Sequence, residues 1–222
     1  MSTDKRLAAA LAELPLFPLP GTVFFPHTLM PLHVFEARYR QLTQHVLEGH
    51  GHLGIVCIDQ SRGEAPVPEV AAVAGVGRIV HHERLPDGRY HLLLQGVARA
   101  SLETELPAAG LMYRRAVARP LIATPADTHA DLDALCELRA LRACYARLVS
   151  CCPEVAHVLG DLPLRECEPC VLADVACAAL LHDIAERQQA LEERSVLRRL
   201  RRAHGALEAL LLDGATDPGC FN

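Results

Sequence analysis

The spacing of apolar residues changes once along this chain of 222 residues, and that change constrains the fold more than any other feature. From residue 14 to about 122, apolar residues form short runs broken by prolines and glycines, which is typical of strands and turns. From residue 131 they recur every three or four positions, as on one face of a helix. A polar joint, ATPADTHA, occupies residues 123–130 between the two parts. We therefore predict an α+β protein with a β-rich part followed by a helical part.

The β-rich part is predicted to contain one helix and six strands. The helix covers residues 35–48, where Tyr39, Leu42 and Val46 have helical spacing and Gly49 can end it. The turn residues Pro86, Asp87 and Gly88 predict a hairpin between two strand-like runs. The six strands are predicted at residues 14–19, 29–35, 53–58, 70–85, 89–102 and 112–122.

The domain boundaries follow from the same pattern. We expect a mobile tail over residues 1–13, either disordered or forming a short helix, then a β-rich domain over 14–122. A helical domain is expected over 131–213, with a second tail over 214–222. Within it, Leu200, His204 and Leu207 belong to a seam that faces another helix. The nearby run RSVLRRLRR, residues 194–202, is expected to place its arginines on the opposite, solvated side of that helix.

Charge and composition exclude several classes of protein. The formal net charge of −5 argues against a nucleic-acid binder, because phosphate contacts need a basic surface. No apolar run reaches the 18 or so residues of a membrane span, so no membrane contact is expected. Nine cysteines are an odd number, and a chain this long does not need disulfides to fold. Reduced thiols in a cytoplasm are the better interpretation.

The shortage of lysine excludes several kinds of catalysis. Of the 22 basic residues only Lys5 is a lysine, and it lies in the expected tail. A phosphate-binding loop, a Schiff base and a Ser-Lys dyad each need a lysine in a structured site. The chain also lacks a G-x-S-x-G nucleophile motif. We therefore predict a protein with no catalytic residues, no enzymatic activity and no cofactor.

One cysteine motif leaves an alternative open. Cys167 and Cys170 form a CxxC motif, and Cys151, Cys152 and His157 lie close enough in sequence to complete a four-ligand zinc site. One CxxC alone does not define such a site, and unused thiols in a helical domain are the simpler interpretation. We expect no bound metal. An enzyme that uses these cysteines remains the outlying alternative.

The proline-rich segment carries a family resemblance. Residues 14–42, LPLFPLPGTVFFPHTLMPLHVFEARYRQL, resemble the start of the N-terminal substrate-binding domain of Lon ATP-dependent proteases. The similarity continues through GVG at 75–77, the hairpin at 83–90 and GVAR at 96–99, and so covers about residues 14–120. The residues of this sequence that match the family pattern and are expected to be structural are Pro20, Gly21, Pro26, Pro31, Phe35, Glu36, Arg38, Tyr39, Asp87 and Gly88.

The resemblance implies a fold and a function. The implied fold is a PUA-like β pseudobarrel followed by an all-helical bundle. The implied function is a non-catalytic polypeptide-binding module, with unfolded or extended polypeptide as the partner and a protease or chaperone system as its setting. A full Lon protease also has an ATPase module and a Ser-Lys peptidase. This sequence ends at Asn222 without a phosphate-binding loop, so the resemblance implies a stand-alone relative.

Three apolar residues near the proline turns are candidates for the peptide contact. Phe24, Phe25 and Leu29 lie between Pro20 and Pro31, where strand ends and loops present side chains. The alternative for each is an ordinary core residue. A second function, RNA binding, is also implied because PUA-like folds often bind RNA. The negative net charge and the few aromatic residues argue against it.

Overall fold

The chain divides into two compact units, Met1–Ile122 and Ala123–Asn222. The computed structural model describes residues 3–58, 68–123, 128–151 and 167–216. In the first unit these residues form α1 (Thr3–Ala12), β1 (Leu14–Pro20), β2 (Leu29–Val34), α2 (Ala37–Glu48), β3 (His52–Ile58), β4 (Val73–Arg84), β5 (Tyr90–Glu105) and β6 (Arg115–Pro120). The six predicted strands and the predicted helix are confirmed, with ends that differ by at most three residues.

The six strands form one mixed sheet in the order β2-β5-β4-β3-β1-β6. All neighbours are antiparallel except β1 and β3, which are parallel. The long strand β5 pairs with β2 through its first half and with β6 through its second half. Since β6 also pairs with β1, the strands β5, β4, β3, β1 and β6 form a closed circuit of hydrogen bonding. Strand β2 lies outside that circuit, on β5. The α+β prediction is confirmed.

The sheet buries apolar side chains on both faces. Leu53 and Ile55 of β3 belong to one core cluster, which α2 covers with Leu42 and Val46. Val56 of the same strand belongs to the other cluster. Successive side chains of a strand point to opposite faces, so one strand serves two cores.

The second core cluster corrects the prediction of a mobile N-terminal tail. Residues 3–12 form helix α1, and its Leu11 is buried in that cluster with Leu14 and Leu16. Leu7 of α1 packs against the same cluster. Leu7 and Leu11 are four residues apart on α1, a spacing that lets a short helix bury one apolar side. Residues 1 and 2 lie outside the described part of the chain.

The segment between β1 and β2 crosses directly over two strands. The carbonyl oxygen of Phe24 lies 1.9 Å from where a Cβ would stand on Gly75, and that of Phe25 lies 2.1 Å from the same position on Gly96. The N–H of His27 donates to the Gly96 carbonyl at 2.9 Å, which fixes the segment against β5. Any side chain on Gly75 or Gly96 would collide with backbone. These glycines are therefore required by a close approach of two backbones.

The second unit is helical in its described residues. It contains α3 (Thr128–Cys151), α4 (Pro169–Leu180), α5 (Ile184–Glu192) and α6 (Val196–Thr216). The predicted seam is present, because Leu200 and Leu207 of α6 are buried and His204 Nδ1 lies 2.6 Å from Glu137 Oε1 of α3. Helix α6 runs into the expected C-terminal tail as far as Thr216, and residues 217–222 lie outside the described part. None of the described helices is long and apolar enough to span a bilayer.

One arginine of the basic run is buried, which corrects the expectation that all of them face solvent. The side chain of Arg199 is 1% exposed, and its Nε lies 3.2 Å from Asp174 Oδ1 of α4, whose side chain is 2% exposed. Arg199 Nη1 also donates to the carbonyl of Glu193, the residue that ends α5. The guanidinium therefore joins α4, α5 and α6. A charge buried this deeply needs such partners, because its hydration is lost.

We expect Gly96→Ala to prevent folding of the first unit or to destabilise it by several kcal/mol. The added Cβ would collide with the Phe25 carbonyl, and neither β5 nor the crossing segment can shift without breaking hydrogen bonds. The matched control is Gly205→Ala in α6, where a Cβ would meet nothing within 4 Å. Gly205→Ala should raise the free energy of unfolding by about 0.5–1 kcal/mol. Circular dichroism during urea unfolding measures both. Normal stability of the Gly96→Ala protein would show that the crossing segment is misplaced.

We expect Arg199→Met to lower the free energy of unfolding by about 3–5 kcal/mol, because Asp174 loses the cation that compensates its buried charge. The double change Arg199→Met with Asp174→Leu should restore much of that loss. The control Arg201→Met removes a largely exposed guanidinium that lies 3.7 Å from Glu137, and should cost less than about 1 kcal/mol. Equal effects of the two single changes in urea unfolding would contradict the assigned role of Arg199.

Candidate functional site

Strand β2 is an edge strand with an open side. Among the described residues it pairs only with β5, in a register that runs from Leu29 opposite Gln95 to Val34 opposite Tyr90. Pro31 has no N–H, so within an edge strand its nitrogen belongs on the side away from the neighbouring strand. Residues two positions apart share that direction, so the N–H groups of Leu29 and His33 also point outward. Carbonyl groups of the same residues point with them.

The outward-facing residues carry exposed apolar side chains. Leu29 and Phe35 are each 62% exposed, and Pro31 and His33 between them are also exposed. The ring of His33 makes edge contacts with the ring of Phe35 at 6.0 Å and with that of His91 on β5 at 4.9 Å. We call Leu29, Pro31, His33 and Phe35 the β2 row.

The opposite face of β2 is also apolar. Met30 and Leu32 are half-buried and pack against the core cluster that contains Leu42 and Leu94. A chain added beside β2 would therefore meet apolar side chains on both faces. An ordinary edge strand, in contrast, carries features that prevent other chains from pairing with it.

The other free edge in this part of the sheet has a different character. Beyond Arg78, β4 has no second neighbour among the described strands. There it carries the sequence VHHER, residues 80–84, and all five residues are exposed. Charged and polar side chains on an edge strand are a common protection against unwanted pairing. The β2 edge lacks that protection apart from Pro31.

The three predicted contact residues divide into two groups. Leu29 lies in the β2 row. Phe24 and Phe25 are 2% and 1% exposed and belong to the crossing segment over Gly75 and Gly96. A buried side chain cannot reach a partner at the surface, so the expectation that these two phenylalanines contact a peptide is corrected.

The residues of the family pattern mainly shape turns and helix starts. Gly21 and Gly88 have positive φ angles of 62° and 81°, which glycine adopts without strain. Tyr39 is buried, stacks on Phe17 at 4.0 Å and has its pKa raised by burial, with Arg38 acting in the opposite direction. Pro20 ends β1, Pro26 lies buried in the crossing segment, and Pro31 is on the β2 edge. Glu36 occupies the N-cap position of α2 and accepts a hydrogen bond from Arg38. Asp87 accepts from the N–H of Arg89 in the hairpin turn.

Two features of this site do not follow from the sequence pattern. The family resemblance implies a structural role for Phe35, and spacing alone does not predict that its side chain is exposed beside His33. The aromatic contact between His33 and His91 depends on the pairing of two strands that are far apart in sequence. The sequence does contain one signal for the edge strand, which is Pro31. A proline inside a run of strand residues indicates that the strand lies at the edge of its sheet.

The cysteine motif does not form a ligand cluster in the described residues. Cys167 and Cys170 are half-buried thiols, and Pro169 between them begins α4. Burial is the main cause that raises the pKa of Cys170, and Glu168 beside it acts in the same direction, which disfavours the reactive thiolate. No group of three or more His, Cys, Asp or Glu side chains that could hold a metal occurs in the described part of the chain. Cys152 and His157 lie outside that part.

Comparisons with known proteins support the family resemblance. The family model of the ATP-dependent protease La (LON) substrate-binding domain matches residues 13–209. Lon protease 2 of Herpetosiphon aurantiacus is 32% identical over 215 residues, which are 91% of this chain and 25% of that protein. Lon protease of Rhizobium meliloti is 27% identical, with 94% of this chain and 25% of that protein covered. The chain thus spans about a quarter of the length of these curated relatives.

Two solved structures share the fold. The N-terminal domain of the Mycobacterium avium complex Lon protease superimposes with a TM-score of 0.65 at 17% identity, covering 88% of this chain and 98% of that one. The Lon N-terminal domain protein from Xanthomonas campestris gives 0.59 at 21% identity, covering 86% and 95%. Because the family model matches most of its length, the chain belongs to the family of the Lon substrate-binding domain.

Proposed function

We propose that this protein binds unfolded or extended polypeptide by adding it as a strand to the open edge of β2. The observation that carries the proposal is the contrast between the apolar β2 edge and the polar edge of β4. Main-chain hydrogen bonds from Leu29 and His33 would hold the added strand whatever its sequence. The family of substrate-binding domains to which the chain belongs supports polypeptide as the ligand.

The β2 row supplies the apolar part of the contact. Leu29 and Phe35 expose apolar surface at the two ends of the row, and Met30 and Leu32 do so in part on the other face. A surface that accepts many sequences cannot be optimised for one, so micromolar affinity is expected. Because the contact is apolar and made through the main chain, we expect its affinity to respond little to salt.

The proposal includes a non-catalytic role and a finer description of the fold. We propose that the closed strand circuit corresponds to a PUA-like pseudobarrel over residues 14–122, and that residues 131–213 form the helical bundle of the family. The sequence supports the non-catalytic role through its single lysine and the absence of a phosphate-binding loop. No observation favours the RNA-binding alternative.

We expect Leu29→Glu to weaken binding of an unfolded protein about tenfold, because it removes apolar contact area and places a charge in the contact. Met112→Glu is the matched control, since Met112 belongs to the same unit and is 57% exposed but lies outside the β2 row. Titration of a fluorescently labelled, reduced and unfolded protein measures both affinities at low and high salt. Equal affinities for the two variants would refute the β2 row as the contact, and salt-sensitive binding to an RNA oligonucleotide alone would favour the alternative function.

A proline scan along β2 tests strand addition separately from apolar contact. His33→Pro removes an outward N–H and should weaken polypeptide binding several-fold while the protein stays folded. Leu32→Pro removes an N–H that faces β5 and should destabilise the sheet instead. Circular dichroism and the same titration distinguish these results. If the His33→Pro protein is folded and binds normally, the peptide does not pair with β2.

A further inference from the structure

A row of polar side chains crosses the sheet beyond the β2 edge. Leu29 lies opposite Gln95, Gln95 opposite Arg78, and Arg78 opposite His52, on four neighbouring strands. Residues directly opposite each other point to the same face of a sheet. Arg78 Nη2 donates to the side-chain oxygen of Gln95 at 2.7 Å, which confirms that these side chains meet.

Two polar atoms at the far end of this row have no partner among the described residues. His52 is 1% exposed, and its Nδ1 lies 2.8 Å from the backbone carbonyl of His50. A carbonyl only accepts, so Nδ1 carries the proton and Nε2 is the unprotonated nitrogen of the neutral ring. This Nε2 is buried without a hydrogen-bond partner, and so is Nε of Arg78. Buried polar groups are rarely left unpaired, so two such atoms on residues that lie opposite each other on β3 and β4 indicate a missing ligand or water.

The surroundings of His52 are cationic. Arg78 lies directly opposite His52 on β4. Arg6 belongs to α1, whose Leu7 and Leu11 pack against the cluster that contains Val56, on the same face of β3 as His52. Both arginines act on the pKa of His52 through their positive charge, and His50 is the other titratable group beside it. Burial is the main cause that lowers the pKa of His52; the bond to the His50 carbonyl opposes it, and the two arginines add to it. Neither arginine has a carboxylate partner in an ion pair within the described residues.

We propose that His52, Arg78 and Arg6 form a binding site for a small oxyanion, either a phosphate-type anion or a carboxylate. The anion would accept hydrogen bonds from Arg78 Nε and from the Arg6 guanidinium, which are the strong charge-assisted type. His52 would take up one proton from solvent at Nε2, and this N–H would donate a third hydrogen bond to an oxygen of the anion. Each anion bound therefore carries one proton with it. Burial lowers the pKa of His52 in the unliganded protein and a bound anion raises that pKa, so affinity rises as pH falls through the interval between the two values.

The test uses the full chain with sulfate, whose charge stays constant across this pH range, and with acetate as the carboxylate. Calorimetry should detect saturable binding that is about tenfold or more tighter at about pH 6 than at about pH 8, since one linked proton changes affinity by up to about tenfold per pH unit. If sulfate binds and acetate does not, the site is specific for phosphate-type anions. If acetate also binds, the ligand can be a carboxylate. Failure of both anions to bind at either pH would leave only an internal water at the site and would overturn the proposal.

The variants separate this site from other surface charges. Arg6→Gln changes an exposed residue of α1 and should weaken sulfate binding about tenfold or more. Arg119→Gln, at an exposed arginine paired with Glu103, is the control and should bind as the unchanged protein does. If both variants lose the same sulfate affinity, the binding depends only on the overall charge of the protein, and the proposed site is refuted.

Nitrogen-15 spectra of histidine give a readout that needs no substitution of the buried His52. Sulfate at about pH 6 should convert one buried ring from the singly to the doubly protonated form. A ring that stays neutral at saturating sulfate would contradict the linked proton. The Leu29→Glu protein should bind sulfate normally, so this site and the β2 edge succeed or fail independently.

Discussion

The first unit depends on one close approach, in which the backbone of Phe24 and Phe25 passes over Gly75 and Gly96. This crossing places the two phenylalanine side chains in the core and delivers the chain to the start of β2 on the outer side of β5. Because the hydrogen bond from His27 to Gly96 fixes the end of the crossing, the register of β2 is fixed as well. The exposure of Leu29 thus follows from the same crossing that buries Phe24 and Phe25.

The second unit depends on a different interaction. Helices α4, α5 and α6 meet at the buried guanidinium of Arg199 rather than at apolar residues alone. A buried ion pair contributes little net stability compared with apolar packing, but it is costly to separate. It therefore favours one arrangement of the three helices over others that would leave Asp174 uncompensated.

The sequence predicted the strands, the helix α2 and the hairpin because each depends on local spacing and turn chemistry, as at Asp87 and Gly88. It also predicted Leu29 as a candidate contact. It could not separate Leu29 from Phe24 and Phe25, since all three are apolar residues near prolines and only the crossing over two glycines distinguishes them. The burial of Arg199 was missed because its partner lies on another helix, and helical periodicity carries no information about such a partner.

Pro31 affects association of the protein with itself. Two copies that paired antiparallel through β2, centred on this residue, would place two prolines opposite each other, and the shared ladder would lack both of their donors. A guest chain that supplies its own N–H groups loses only one donor along the same edge. Under the proposed strand addition, β2 would stay open to other chains while copies of this protein remain poor partners for one another, although no described strand covers the edge.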